Sequence, residues 1–240
     1  MDIPFFYILL LIIIMFSVYN LFFSKKAKIK RKLKNAPLKK IANFKNNEIA
    51  KIVGNIEIID QPLISPLANR ECAYYYIRIE RKTSSGKNSH WKTIVEEEVS
   101  QKFLIRDGEN YAYINDSNIK SYIVQDKMFT SGFGNDATER LEKYLISKGI
   151  ESEGFFGFNK TLRYYEGVLE NNEKIAVFGK GNWKDATKLN LPNKYKTVLE
   201  ITSDQGLSVY LSDDPDTTLK QVKKQKLNSK DYNFNRNYRK

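Results

Sequence analysis

The chain is short of the residues that most often carry chemistry. One cysteine, Cys72, excludes an internal disulfide framework, and one histidine, His90, excludes a zinc finger or RING built from Cys/His clusters. The same single imidazole leaves no visible Ser-His-Asp or Cys-His arrangement. Beside Ser89 and Trp91, it reads as an exposed residue at the start of a strand. Glycine is sparse at 12 residues, and Gly132-Phe133-Gly134 and Gly154-Phe155-Phe156-Gly157-Phe158 lack the spacing of a dinucleotide or Walker phosphate loop. Phe155, Phe156 and Phe158 could contact a membrane or a partner as readily as pack on the domain. After residue 23 no apolar run approaches the roughly 18 residues of a membrane helix.

Charge is abundant but unevenly placed. The 40 Lys+Arg and 28 Asp+Glu of the 240 residues give a formal net charge of +12, a balance that first suggests nucleic acid or an anionic surface. Residues 24–40 hold nine basic residues and no acid, residues 220–240 contribute +7, and residues 41–219 stand at −3. The basicity belongs to two flanks of a mildly acidic domain, which argues against a nucleic-acid partner.

Ile3 to Phe23 contains no charged residue and is dominated by Ile, Leu and Phe. As a helix it would be about 31 Å long, close to the ~30 Å hydrocarbon core, with Tyr7 and Tyr19 toward its ends. Without a basic n-region or a small-x-small cleavage site, it predicts an uncleaved transmembrane helix over 3–23 rather than a signal peptide. The basic residues that follow place the domain on the cytoplasmic side of the cell membrane, in a single-pass topology. Lys25, Lys26, Lys28, Lys30, Arg31 and Lys32 become candidate contacts for anionic lipid head groups, making the bilayer a partner.

Residues 24–47 read as a basic juxtamembrane linker, interrupted by Pro37 and an Asn-rich stretch. From 48 to 219 the pattern is β-rich: short runs of β-branched and aromatic residues, with a hairpin signal at Asp107-Gly108. Thr138 to Lys148 is the clearest helix, with Leu141, Tyr144 and Leu145 on one face, Asp136 available as a cap and Gly149 closing it. A second helix is expected from about Pro215 to Leu227, fraying into a partly disordered basic tail over 220–240. The fold class is therefore α+β, a β-rich domain with one or two helices behind a single N-terminal transmembrane helix. The domain divides into two possible halves, 48–130 and 160–219.

The consecutive Glu96, Glu97 and Glu98 alternate faces of a strand and do not converge as an acid/base pair. Cys72 reads as a buried structural thiol. No residue is assigned a catalytic, cofactor-binding or metal-binding role.

One stretch has a family likeness. Gly54, Pro62-Leu63-Ile64-Ser65-Pro66-Leu67 and Cys72-Ala73-Tyr74-Tyr75 are followed by Trp91, Asp107-Gly108, Glu166 and Gly179. Together this series resembles the GIDE domain, also called BAM (beside a membrane), of mitochondrial E3 ubiquitin ligases and their bacterial relatives. The resemblance covers roughly residues 48–220 and implies a membrane-anchored binding or scaffolding module with an unidentified protein partner and no small-molecule cofactor. The RING finger that gives the ligases their ubiquitin transferase activity is missing, so an enzymatic role is not implied. Two alternatives are an accessory component of an E3-ligase-like or stress-response membrane system, with catalysis supplied by another subunit, and membrane-tethered nucleic-acid binding through the basic flanks. The matched residues also have structural readings: Pro62 and Pro66 fix a turn, Gly54 and Gly179 permit close backbone approach, and Tyr74, Tyr75 and Trp91 suit a half-buried sheet face.

Overall fold

A computed structural model describes residues 5–85, 88–131, 138–150 and 161–219. The apolar N-terminal run, expected to be a transmembrane helix, folds as helix α1 (Phe5–Phe23) of 19 residues. Among the described residues no helix is long and apolar enough to cross a membrane. This corrects the transmembrane reading of 3–23, and the single-pass cell-membrane placement and charge-based orientation fall with it. The helix ends because Ser24 adopts extended ψ (152°) and turns its hydroxyl to the Ala27 N–H as the cap of the next helix.

That next helix, α2 (Lys25–Asn35), occupies much of the segment expected to be a linker. Seven Lys/Arg surround two apolar residues one turn apart, Ile29 and Leu33, and both are fully buried. They pack with Ala176 and Phe178, against which Val53, Tyr122, Leu207 and Tyr210 also lie. Lys30 lies 2.9 Å from Asp214 and 3.1 Å from Asp216. An i, i+4 apolar pair is enough to dock a helix when its lysines have solvent or partners around them.

The strands are β1 (Glu48–Ile58), β2 (Leu63–Ile64), β3 (Glu71–Cys72), β4 (Tyr74–Ser85), β5 (Asn88–Ser100), β6 (Phe103–Asp107), β7 (Asn110–Ile114), β8 (Ile119–Tyr122) and β9 (Lys127–Ser131). They continue after helix α3 (Glu139–Ser147) with β10 (Leu162–Leu169), β11 (Lys174–Asp185), β12 (Thr197–Thr202) and β13 (Val209–Ser212), and the short helix α4 (Pro215–Thr218) follows.

Five of them close a barrel in the order β1-β6-β7-β12-β11 and back to β1. Closure depends on β1 changing partner. Residues Glu48 to Asn55 pair with β11, whereas Asn55 to Ile58 pair with β6. Gly54 stands at that crossing, where a Cβ would lie 2.6 Å from the Arg106 carbonyl oxygen, so the approach requires glycine. Ile52, Ile56, Ile105, Ile175, Val177, Leu199 and Ile201 fill the interior. The β7–β12 pairing is parallel. Beyond β11 the sheet continues as a two-stranded flap, β13 with a parallel β8.

The second sheet, β5-β4-β10-β9, is wholly antiparallel. One face packs against α3 through Ile77, Ile79, Val95 and Tyr164 under Leu141, Tyr144 and Leu145. The cap of α3 is the Thr138 hydroxyl, 3.3 Å from the Leu141 N–H, and Gly149 closes it at φ +69°. Asp136 lies outside the described residues. The expected halves 48–130 and 160–219 are not separate bodies: the barrel and the second sheet each combine strands from both. At Asp107-Gly108 the expected hairpin forms with a two-residue loop, Gly108 at φ +64° in the first central position. Helix α4 ends at Thr218, and the continuation expected to Leu227, like the tail 220–240, lies outside the described residues.

Candidate functional site

The motif residues Leu63, Ser65, Pro66 and Cys72 are brought together by the small ribbon β2–β3, in which Leu63 pairs with Cys72 and Ile64 with Glu71. The turn inside the ribbon is built on Glu166 of β10. This carboxylate is buried and accepts the Ser65 hydroxyl at 3.1 Å and the N–H groups of Leu67 and Ala68 at 2.9 Å each. Ser65 in turn accepts the Arg70 N–H at 3.1 Å. Arg70 then bridges Glu170 and Asp126, at 2.7 Å to each. Pro62 and Pro66 are half-buried at the two sides of this turn. Cys72 is fully buried, and burial pushes its thiol up to about 11, which disfavours the nucleophilic thiolate.

The other motif residues are dispersed. Gly54 and Gly179 serve the barrel, where Gly179 faces Ala50 across the β1–β11 pair. Asp107 accepts the Ile41 N–H at 3.3 Å, and Gly108 turns the hairpin. Tyr75 packs on the α3 side of the second sheet. Trp91 lies on its opposite side under the Arg163 guanidinium, 4.2 Å from the ring centroid. His90 is 3.0 Å from the Thr83 hydroxyl, on the exposed part of the β4–β5 hairpin. Glu97 takes the Tyr144 hydroxyl and Lys148 on the α3 side, while Glu96 and Glu98 face the other way, as the strand alternation requires. These residues do not meet at one reacting point, and among the described residues no group of three or more His, Cys, Asp or Glu is placed to hold a metal. The Phe155, Phe156 and Phe158 cluster and both Gly-Phe loops lie outside the described residues.

The six candidate head-group residues have mixed surroundings. Lys25 pairs with Glu98 at 3.2 Å, and Lys30 is held by Asp214 and Asp216. Lys26 lies 4.6 Å above the Tyr122 ring and Lys32 4.8 Å above Phe178. Lys28 and Arg31 are exposed on the outer side of α2.

Tyr74 is the motif residue that lines the cavities of the structure. Its hydroxyl donates to Glu98, as does that of Ser121, joining the second sheet to the flap. Burial opposes ionisation of Glu98, but the Ser121 and Tyr74 hydroxyls outweigh it and hold the carboxyl below its ordinary value. Burial, reinforced by the hydrogen bond to Glu98, pushes the Tyr74 hydroxyl well above the usual tyrosine range.

Tyr74 is also the wall shared by two cavities. The larger is an open groove of about 910 Å³ between the barrel mouth and the flap. Its floor has Phe103, Tyr113 and Leu211, and its rim has Asn115, Ser117 and Asn118. Asp116 is occupied, accepting N–H groups from Asn118 and Ser203 at 2.6 Å each. Gln101 lines the same groove, and its side-chain amide nitrogen is buried without a hydrogen-bond partner. The smaller cavity, of about 440 Å³, opens at the start of α2. Sequence reasoning named Lys25, Lys26, Tyr74, Glu96 and Glu98 singly but did not bring them together in a cavity. A signal for the larger was present in the polar run Asn115-Asp116-Ser117-Asn118, which reads as a turn unless its neighbours in space are known.

No family model matches the chain, and comparisons with curated proteins and with solved structures return no match.

Proposed function

We propose that the chain is a binding or scaffolding module of the GIDE/BAM type that holds an extended segment of a partner protein in the groove between barrel and flap. The observation behind this reading is an open groove of about 910 Å³ lined in part by Gln101, whose buried amide nitrogen has no hydrogen-bond partner. A buried donor without an acceptor costs about 1–3 kcal/mol, which a ligand carbonyl would recover once the Gln101 side chain turns toward it. The groove suits a peptide backbone in other respects. Its rim amides and hydroxyls offer neutral donors and acceptors, and Phe103, Tyr113 and Leu211 offer apolar contact between them. Asp116, held by backbone N–H groups, and Lys102 bring one charge of each sign to the groove, so it favours a segment of low net charge. An accessory role in an E3-ligase-like assembly would use the same groove, with the catalytic subunit as its occupant.

The test is selection from a displayed library of random peptides, followed by measured affinities for the parent and for Gln101→Leu. The reading expects enriched peptides of low net charge that bind the parent and weaken about tenfold or more in the variant. Failure to enrich any peptide, or equal binding to both proteins, would remove it.

A further inference from the structure

The smaller cavity has chemistry of its own. Three cationic side chains, Lys25, Lys26 and Arg78, border it together with two carboxylates, Glu96 and Glu98. The carboxylates are largely engaged. Glu98 receives two hydroxyls and the Lys25 ammonium, and Glu96 accepts the Tyr76 hydroxyl at 3.0 Å. The other two cations are held less directly. Lys26 has the face of Tyr122 at 4.6 Å. Arg78 rests on the Tyr165 ring at 4.6 Å, and its Nε is buried without a hydrogen-bond acceptor. Glu80 is 3.8 Å from that nitrogen, an ionic contact too long for a hydrogen bond.

The backbone adds to this imbalance. The first turn of α2, an 11-residue helix, contributes Lys25 and Lys26 to the cavity and holds no acidic residue. A helix start concentrates positive potential and ordinarily attracts Asp, Glu or a bound anion. Here it is loaded with lysine instead. Positive potential from the helix start, an ammonium held by a ring and a guanidinium whose Nε has no hydrogen-bond acceptor therefore converge on one cavity.

We propose that this cavity is a binding site for a phosphate-type anion, held by Lys26 and Arg78 at the first turn of α2. A planar guanidinium and a nearby ammonium are suited to phosphate oxygens. The phosphate could be free or part of an amphiphile. The second source would lay its chain over Tyr19 and Phe23, stacked at 4.8 Å and exposed by 59% and 51%.

The site shares only the Tyr74 wall with the peptide groove and is tested through Lys26 and Arg78 rather than Gln101, so the two proposals fail separately. Phosphorus NMR titration and calorimetry on the full chain would use inorganic phosphate, glycerol 3-phosphate and dihexanoylphosphatidylglycerol below its micelle concentration, with chloride as the ionic-strength control. Binding of at least one phosphate probe is expected, weakened about tenfold in Arg78→Gln and in Lys26→Gln and retained in Arg78→Lys. Tighter binding of the short-chain lipid than of glycerol 3-phosphate supports the amphiphile source, and equal binding supports the free anion. No binding of any phosphate probe beyond the chloride control, or affinities unchanged in both Gln variants, would overturn the proposal. The exposed Lys26 leaves at least one variant whose fold is not at risk.

Discussion

The buried carboxylate of Glu166 accepts the hydroxyl of Ser65 from a turn 101 residues earlier in the chain. The same carboxylate accepts two backbone N–H groups of that turn, so one side chain organises the Ser-Pro-Leu-Ala segment. Glu166→Gln keeps the shape but replaces one acceptor oxygen with an NH₂ that faces donors. A loss of about 2–3 kcal/mol is expected, with a fall in Tm of roughly 5–10 °C, measurable by circular dichroism. A Tm within 1–2 °C of the parent would show that the turn holds without this carboxylate.

Gly54 is the point where β1 passes from β11 to β6, and its place next to the Arg106 carbonyl leaves no room for a Cβ. Gly54→Ala is expected to destabilise the barrel by about 2–4 kcal/mol, since backbone rather than a flexible side chain must move. The contrasting change is Gly206→Ala. A Cβ there meets nothing within 4 Å, but φ is +71°, so a smaller loss of about 1 kcal/mol is expected from backbone conformation alone. Urea unfolding of the two variants in parallel measures the difference.

Helix α2 is an integral part of the structure if Leu33 and Ile29 are its attachment. Leu33→Ala should then cost about 2–4 kcal/mol, while Lys28→Gln on the exposed side should change stability by less than about 0.5 kcal/mol. Equal, negligible effects in chemical denaturation would mean that 25–35 behaves as a free linker.

Asp213 supplies a pH dependence. Burial pushes its carboxyl up to about 7; the Val124 N–H opposes this, and Glu173 and Asp126 reinforce it. In the unfolded chain the carboxyl titrates near 4. Between those values the folded chain holds more protons than the unfolded one, so stability falls as pH rises from about 4 to about 7 and levels off above. Asp213→Asn can still accept the Val124 N–H through its amide oxygen. Its stability relative to the parent should increase from pH 5 to pH 8, by on the order of 2–4 kcal/mol at the upper end. A parent-minus-variant difference that is flat across this range would contradict the shifted titration.

These positions also show what a single sequence makes legible. Helix α3 is readable because its periodic apolar residues and closing glycine are local. Helix α2 is not, because two apolar residues are hidden among lysines and their burial depends on β11 and β13, roughly 145 and 180 residues downstream. The apolar composition of α1 is plain, but its helical length is set by where Ser24 turns. Alternation identifies many strands without naming their neighbours. The double pairing of β1, which closes the barrel, and the mixing of both halves in each sheet are long-range facts. The Ser65 turn is marked by its prolines, whereas its partner Glu166 is visible only in the fold. The groove was hidden for the same reason, since its rim reads locally as a turn and its donor Gln101 as an ordinary strand-end residue.

The most direct test of the binding account is the affinity of a selected peptide for the parent, for Gln101→Leu and for Arg78→Gln, measured by calorimetry. The account predicts a loss of about tenfold or more in Gln101→Leu and an unchanged affinity in Arg78→Gln, which borders the other cavity. Binding that ignores Gln101, or that is lost equally in both variants, would contradict it.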